Sequence, residues 1–164
     1  MALSYLGQGE RSSVEQTPGI ATRVELDAGE SRAFTFLISW HFPIVRIKEN
    51  YSWRTIVEKN EYSTRFKGAG AVARHVAEHF SSLSSQTQQW VKTWNDSTLP
   101  QWLLDRTILT ANTLQTANCN LLADGDGGRF WAWEGIRVCH GTCTHVWHYA
   151  QAMARLFPSL ERNL

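Results

Sequence analysis

A chain of 164 residues is long enough for one ordinary domain with its own core, and 43% hydrophobic with 19% charged residues is the balance of a folded globular protein. A formal net charge of +1, with no clustered run of Lys and Arg, excludes a nucleic-acid or polyanion binder. The longest apolar stretch, around Ala33 to Trp40, falls far short of the roughly 20 residues that a spanning helix needs, so no membrane span is expected.

Residues 1–19 are polar, contain Gly and Pro, and show no period, which reads as loop or incomplete structure. Their first seven, Met1-Ala2-Leu3-Ser4-Tyr5-Leu6-Gly7, lack the basic and apolar regions of an export signal. Thr22 to Leu26 then alternates polar with apolar, Asp27-Ala28-Gly29-Glu30 supplies turn chemistry, and Phe34, Phe36, Ile38 and Trp40 follow at a period of two. This predicts a β-hairpin with one apolar face. Two strands are marginal alone, so the hairpin requires a sheet that the neighbouring sequence does not offer. His41-Phe42-Pro43 ends it, and residues 44–61 read as a polar linker.

From Gly68 the period becomes helical. Ala69, Val72, Ala73, Val76, Ala77, Phe80 and Leu83 form one stripe, and Trp90, Val91 and Trp94 extend that helix or begin a second. Asn95-Asp96-Ser97-Thr98 holds capping residues and Pro100 suits the first turn of a new helix, whose buried face is Leu103, Leu104, Ile108, Ala111 and Leu114. After Cys119, residues 120–123, 124–128 and 129–133 read as strand, turn, strand. An irregular loop over 135–144 leads to a final helix from about Thr144 to Phe157, and Pro158 opens another turn. Leu164 lies inside an apolar pattern without a C-cap, from which a continuation is expected.

Three features carry candidate chemistry. Eight Trp in 164 residues fit either a Trp-rich core or a sugar site, where flat rings stack on pyranose faces; composition alone favours the core. Glu134 follows the aromatic strand containing Trp131 and Trp133, so a desolvated carboxylate there suits attack on an oxocarbenium-like centre; an ordinary strand-end Glu is the simpler alternative. Cys139, His140, Cys143, His145 and His148 gather metal-ligand types in ten residues, but Cys-x₃-Cys is not a standard zinc spacing, and core cysteines with capping or substrate-facing histidines account for them better. A small Cys/His metal-binding protein (Cys139, Cys143, His145, His148) and a non-catalytic carbohydrate-binding module stay open as alternatives. The turn Asp124-Gly125-Asp126-Gly127 lacks the remaining ligands of a calcium loop. No phosphate-cradling glycine loop, nucleophilic Ser elbow or dinucleotide fingerprint is present, and no cofactor is expected. Three cysteines, an odd number, do not make a disulfide scaffold and point to a reducing, cytoplasmic compartment.

Four stretches, in order, carry a family resemblance: Phe36-Leu37-Ile38-Ser39-Trp40-His41-Phe42-Pro43; Tyr62-Ser63-Thr64-Arg65-Phe66; Trp94 to Leu103; and Gly128 to Gly135 with Val146 to Ala150 and Leu156 to Glu161. Together, from about residue 20 onward, they resemble glycoside hydrolase family 116, a group of β-glucosidases and glucosylceramidases. The resemblance implies a mainly α fold with a β portion. Residues 1–43 would end an amino-terminal β-sandwich with its terminal hairpin, 44–61 would be the linker, and 62–164 would begin an (α/α)₆ toroid that is incomplete here. It implies that Glu134 is the nucleophile of a retaining β-glycosidase, that the substrate is a β-glucoside, and that His145 stands at a substrate-binding position; Trp131 and Trp133, flanking Glu134, are the candidate substrate-binding rings on their own chemistry. The acid/base Asp of the family lies further downstream than Leu164. Many members carry an Asp eleven residues after the nucleophile, where this chain has His145; a histidine can donate where an ionised Asp only accepts.

Overall fold

The computed structural model describes residues 1–7, 10–14, 17–48, 55–132, 142, 154 and 156–163. In chain order the strands and helices are β1 (Ala2–Tyr5), β2 (Glu10–Val14), β3 (Thr17–Ala21), β4 (Phe36–Ser39), β5 (Ile44–Lys48), β6 (Thr55–Lys59), α1 (Tyr62–Arg65), α2 (Ala69–Glu78), α3 (Phe80–Asn95), α4 (Gln101–Asn112), a 3₁₀ turn (Thr113–Gln115), β7 (Cys119–Leu122), β8 (Arg129–Ala132) and α5 (Pro158–Glu161). The strands pair antiparallel as β1–β4, β2–β3, β5–β6 and β7–β8, four two-stranded sheets among the described residues. The chain divides into two units, one of Met1–His41 with Phe66–Ser85, the other of Phe42–Arg65 with Gln86–Leu164.

In the first unit the expected hairpin is replaced by a longer-range pairing. Residues 22–26 are not a strand; β4 pairs instead with β1, in the stretch read as loop. The physical reason is a cross-strand aromatic pair. Tyr5 stands directly opposite Phe36, with ring centres 5.1 Å apart, and also meets Phe34 at 6.3 Å. Thr22 to Leu26 offers no ring to compete. The turn at 27–30 does form: Glu30 N donates to Asp27 O at 3.0 Å, Asp27 N donates to a Glu30 carboxylate oxygen, and Gly29 takes φ 84°. Buried Ser39 donates to Ala69 O at 2.9 Å, and His41 Nε2 donates to Phe66 O at 2.8 Å, tying β4 to the start of α2.

The helical stripe is real but divided. Residue 79 closes α2 with φ −111° and ψ 14°, and α3 starts at the next residue. Within it only Ala73 is buried, and α3 buries none of its residues.

In the second unit, residues 44–61 are not a linker. They hold the β5–β6 hairpin, rich in the β-branched residues Ile44, Val45, Ile47, Thr55, Ile56 and Val57. The expected β7–β8 hairpin forms with Asn120 opposite Trp131 and Leu121 opposite Phe130. A bridge between Asn60 and Leu122 joins the two hairpins, reinforced by Glu61 N donating to Leu121 O and Ala123 N to Lys59 O. Leu122 and Ala132 are 1% exposed, and Phe130 packs with Ala132 against Leu114, Cys119, Leu121 and Leu160. Pro158 opens α5 at its first turn as expected, and Asn163 beyond it accepts from Phe130 N and donates to Gly127 O. Pro100 O accepts from Leu103 N and Leu104 N, so Pro100 starts α4, and Leu104 is buried as its pattern predicts.

The expected fold class is therefore corrected. Six strands, four helices, a further hairpin and a last short helix follow one another along the described chain, which is a mixed α and β architecture and not the beginning of an (α/α)₆ toroid. The strand content was hidden in polar segments, where side-chain alternation carries little hydrophobic signal. No helix among the described residues is long and apolar enough to cross a membrane, in line with the sequence.

The tight turn of β7–β8 yields a paired test. A Cβ at Gly128, which has φ +77°, would meet Leu122 O at 2.7 Å, whereas at Gly125, with φ +58°, it would meet nothing within 4 Å. Gly128→Ala is expected to destabilise the chain by about 2–3 kcal/mol, and Gly125→Ala by about 1 kcal/mol, in urea unfolding. Equal midpoints for the two variants would refute the close-approach account.

Candidate functional site

The candidate site is built on β8. Its alternation is visible in burial: Phe130 and Ala132 point into the core, while Arg129 and Trp131 are partly exposed on the other face. That face is charged as well as aromatic. The Arg129 guanidinium lies 4.5 Å above the Trp131 ring, 3.2 Å from the Asp124 carboxylate and 3.4 Å from that of Glu58. Asp124 comes from the hairpin turn and Glu58 from β6, so two hairpins supply one cationic stack with two anions around it.

Of the predicted site residues, Trp131 is thus placed, and Glu134, Trp133 and His145 lie outside the described residues. So do Cys139, Cys143 and His148. Trp131 does not present both ring faces, because Arg129 covers one. Sequence reasoning missed Arg129, Asp124 and Glu58; the signal for two of them was present, since Arg129 follows the Asp-Gly turn across a hairpin.

One further contact bears on the region. Thr142 N donates to Ala132 O at 2.6 Å, and Thr142 holds φ 65°. Residue 142 therefore lies beside the end of β8. A β-branched residue at positive φ stores about 1–3 kcal/mol of strain, and such positions concentrate at functional sites.

A cavity of about 470 Å³ in the same unit is lined by Gln86, Thr87, Trp90, Asn112, Gln115 and Phe157 among others, none of them charged. Trp90, one of the lining residues, lies edge-on to Trp94 at 5.4 Å and 6.3 Å from Phe157. Aromatic rings with side-chain amides suit an uncharged polar ligand. None of the predicted site residues lines it. Among the described residues, no group of three or more His, Cys, Asp or Glu is arranged to hold a metal ion.

Cys119, opposite Ala132 in the hairpin, is a free thiol. Burial disfavours its thiolate and pushes the thiol up to about 11 from 9.0. The folded chain thus keeps this proton longer than the unfolded chain. The stability it contributes is complete below pH 9 and is lost as pH rises from about 9 to about 11. At mildly alkaline pH, alkylation of Cys119 followed by peptide mapping is expected to be much slower in the native chain than in urea. Equal rates would contradict its burial.

Comparison of the chain with known protein families, with curated proteins and with solved structures finds no match.

Proposed function

We propose that this chain carries the nucleophile, Glu134, of a retaining β-glycosidase acting on a β-glucoside. The observation that carries the reading is the ordered set of four sequence blocks that resembles glycoside hydrolase family 116. The last of these contains β8 and runs directly into Trp133 and Glu134. Two structural facts support it. The strand before Glu134 bears an aromatic ring on a partly exposed face, and Thr142, three residues before His145, hydrogen-bonds to the end of that strand.

The reaction is a double displacement. Glu134 attacks the anomeric carbon while an acid protonates the departing glycosidic oxygen, giving a covalent glycosyl-enzyme. Water then attacks the same carbon with retention, its proton passing to the conjugate base of that acid. In this reading the acid/base carboxyl comes from outside these residues and sits about 5 Å from Glu134. Trp131 and Trp133 form the apolar wall for the sugar ring. His145 donates to a sugar hydroxyl in place of an accepting Asp, which shifts hydroxyl preference relative to members that carry the Asp.

The nucleophile is tested separately from the acid by a 2,4-dinitrophenyl 2-deoxy-2-fluoro-β-glucoside, whose leaving group departs without protonation. Applied to the protein as its gene encodes it, the reagent is expected to add one fluoroglucosyl group, mapped to the peptide containing Glu134 and absent from Glu134→Gln. A label on another carboxylate, or none at all, would refute the assignment. The 164-residue chain alone is expected to show no measurable turnover of aryl β-glucosides with poor leaving groups; a robust rate abolished by Glu134→Gln would show that the acid lies within it.

A further inference from the structure

The last turn of α2 and the residue that caps it carry a pair of histidines, His75 and His79, that neither the fold nor the proposed chemistry requires. His75 and His79 are four residues apart, both exposed, with ring centres 4.4 Å apart and planes inclined by 32°. Residues at this spacing share one helix face. The two tilted rings are therefore a local pair, held together at the end of one helix.

Two details prepare these rings for more than stacking. His79 Nδ1 lies 2.8 Å from His75 O. A carbonyl oxygen only accepts, so Nδ1 carries the proton, and in the neutral ring Nε2 then holds the lone pair. A ring nitrogen donating to a backbone carbonyl is the usual orienting contact of a metal-bound histidine, fixing both tautomer and direction. His75 in turn is flanked by the Phe66 ring, with centres 5.2 Å apart at 60°, which restricts its rotation.

The separation also fits. A metal about 2.1 Å from an imidazole nitrogen lies about 3.2 Å from the ring centre. Two rings on adjacent coordination positions then have centres about 4.5 Å apart, close to the observed 4.4 Å. We propose that His75 and His79 form a two-imidazole chelate for a divalent transition-metal ion. Imidazole donors rank copper(II) first among the divalent first-row ions, so Cu²⁺ is the favoured guest. No third His, Cys, Asp or Glu joins the pair among the described residues, so water completes the coordination and the site is an exchangeable surface site.

The test uses the untagged chain near neutral pH, titrated with Cu²⁺ and followed by histidine ring NMR, with binding measured by calorimetry. Substoichiometric Cu²⁺ is expected to broaden the His75 and His79 rings first. His75→Ala and His79→Ala are each expected to weaken the tightest binding on the order of tenfold or more, since each leaves a single imidazole. His75→Gln, which keeps side-chain length and helix propensity, provides the same comparison if the alanine variant folds poorly. Unchanged affinity in the double variant would overturn the proposal. So would early broadening confined to His140, His145 and His148, which would place the metal on the Cys/His-rich segment instead.

Discussion

Gly128 comes so close to the carbonyl of Leu122 that no side chain fits between them, and much of the second unit depends on that contact. Leu122 is the most buried large side chain described, it faces Arg129 across the hairpin, and it bridges to Asn60 at the end of β6. A tight turn at 124–128 therefore sets three things together: the register of β7 with β8, the junction with the β5–β6 hairpin, and the placing of Arg129 near Glu58. Loosening the turn by one residue would exchange the faces of β8, turning Trp131 inward and Phe130 outward. The aromatic face of the candidate site exists because the glycine allows the turn to close.

What was readable in the sequence follows from the range of the interaction involved. The α2 stripe, the start of α4 at Pro100, the turn at 27–30 and the β7–β8 hairpin all rest on residues within a few positions of one another, and all appear. The pairing of β1 with β4 joins residues more than thirty positions apart through Tyr5 and Phe36, and no local pattern reports it. The β5–β6 hairpin was missed for another reason. Arg46, Lys48, Glu58 and Lys59 make it look polar, while its β-branched residues carried the strand preference.

The candidate site was legible only as a set of residue types on one strand. Alternation along Phe130, Trp131 and Ala132 separates core from surface, and this much follows from the pleat. That Arg129 would cover one face of Trp131, held by carboxylates from a turn and from a different hairpin, depends on tertiary placement. The cation narrows what the ring can do, since a guanidinium and a sugar compete for the same π surface. Metal-ligand types show the same contrast: counting them drew attention to the Cys/His-rich segment, whereas the histidine pair oriented by a backbone carbonyl lies at the end of α2.

Every sheet described has two strands, so outside the Asn60–Leu122 bridge, which covers β7, the strands have a side without a strand partner among the described residues. Such open edges are templates on which a second polypeptide can be added as a further strand. Proteins blunt them with charge and proline, and both devices occur here: Pro18 removes a donor from β3, and Lys48 and Lys59 flank the β5–β6 ribbon. The edge of β8 is guarded differently: Phe130 N donates to Asn163 O, and Ala132 O accepts from Thr142 N. The strand that leads into Glu134 is thus covered by backbone from residues 142 and 163, and an added strand would first have to displace both contacts.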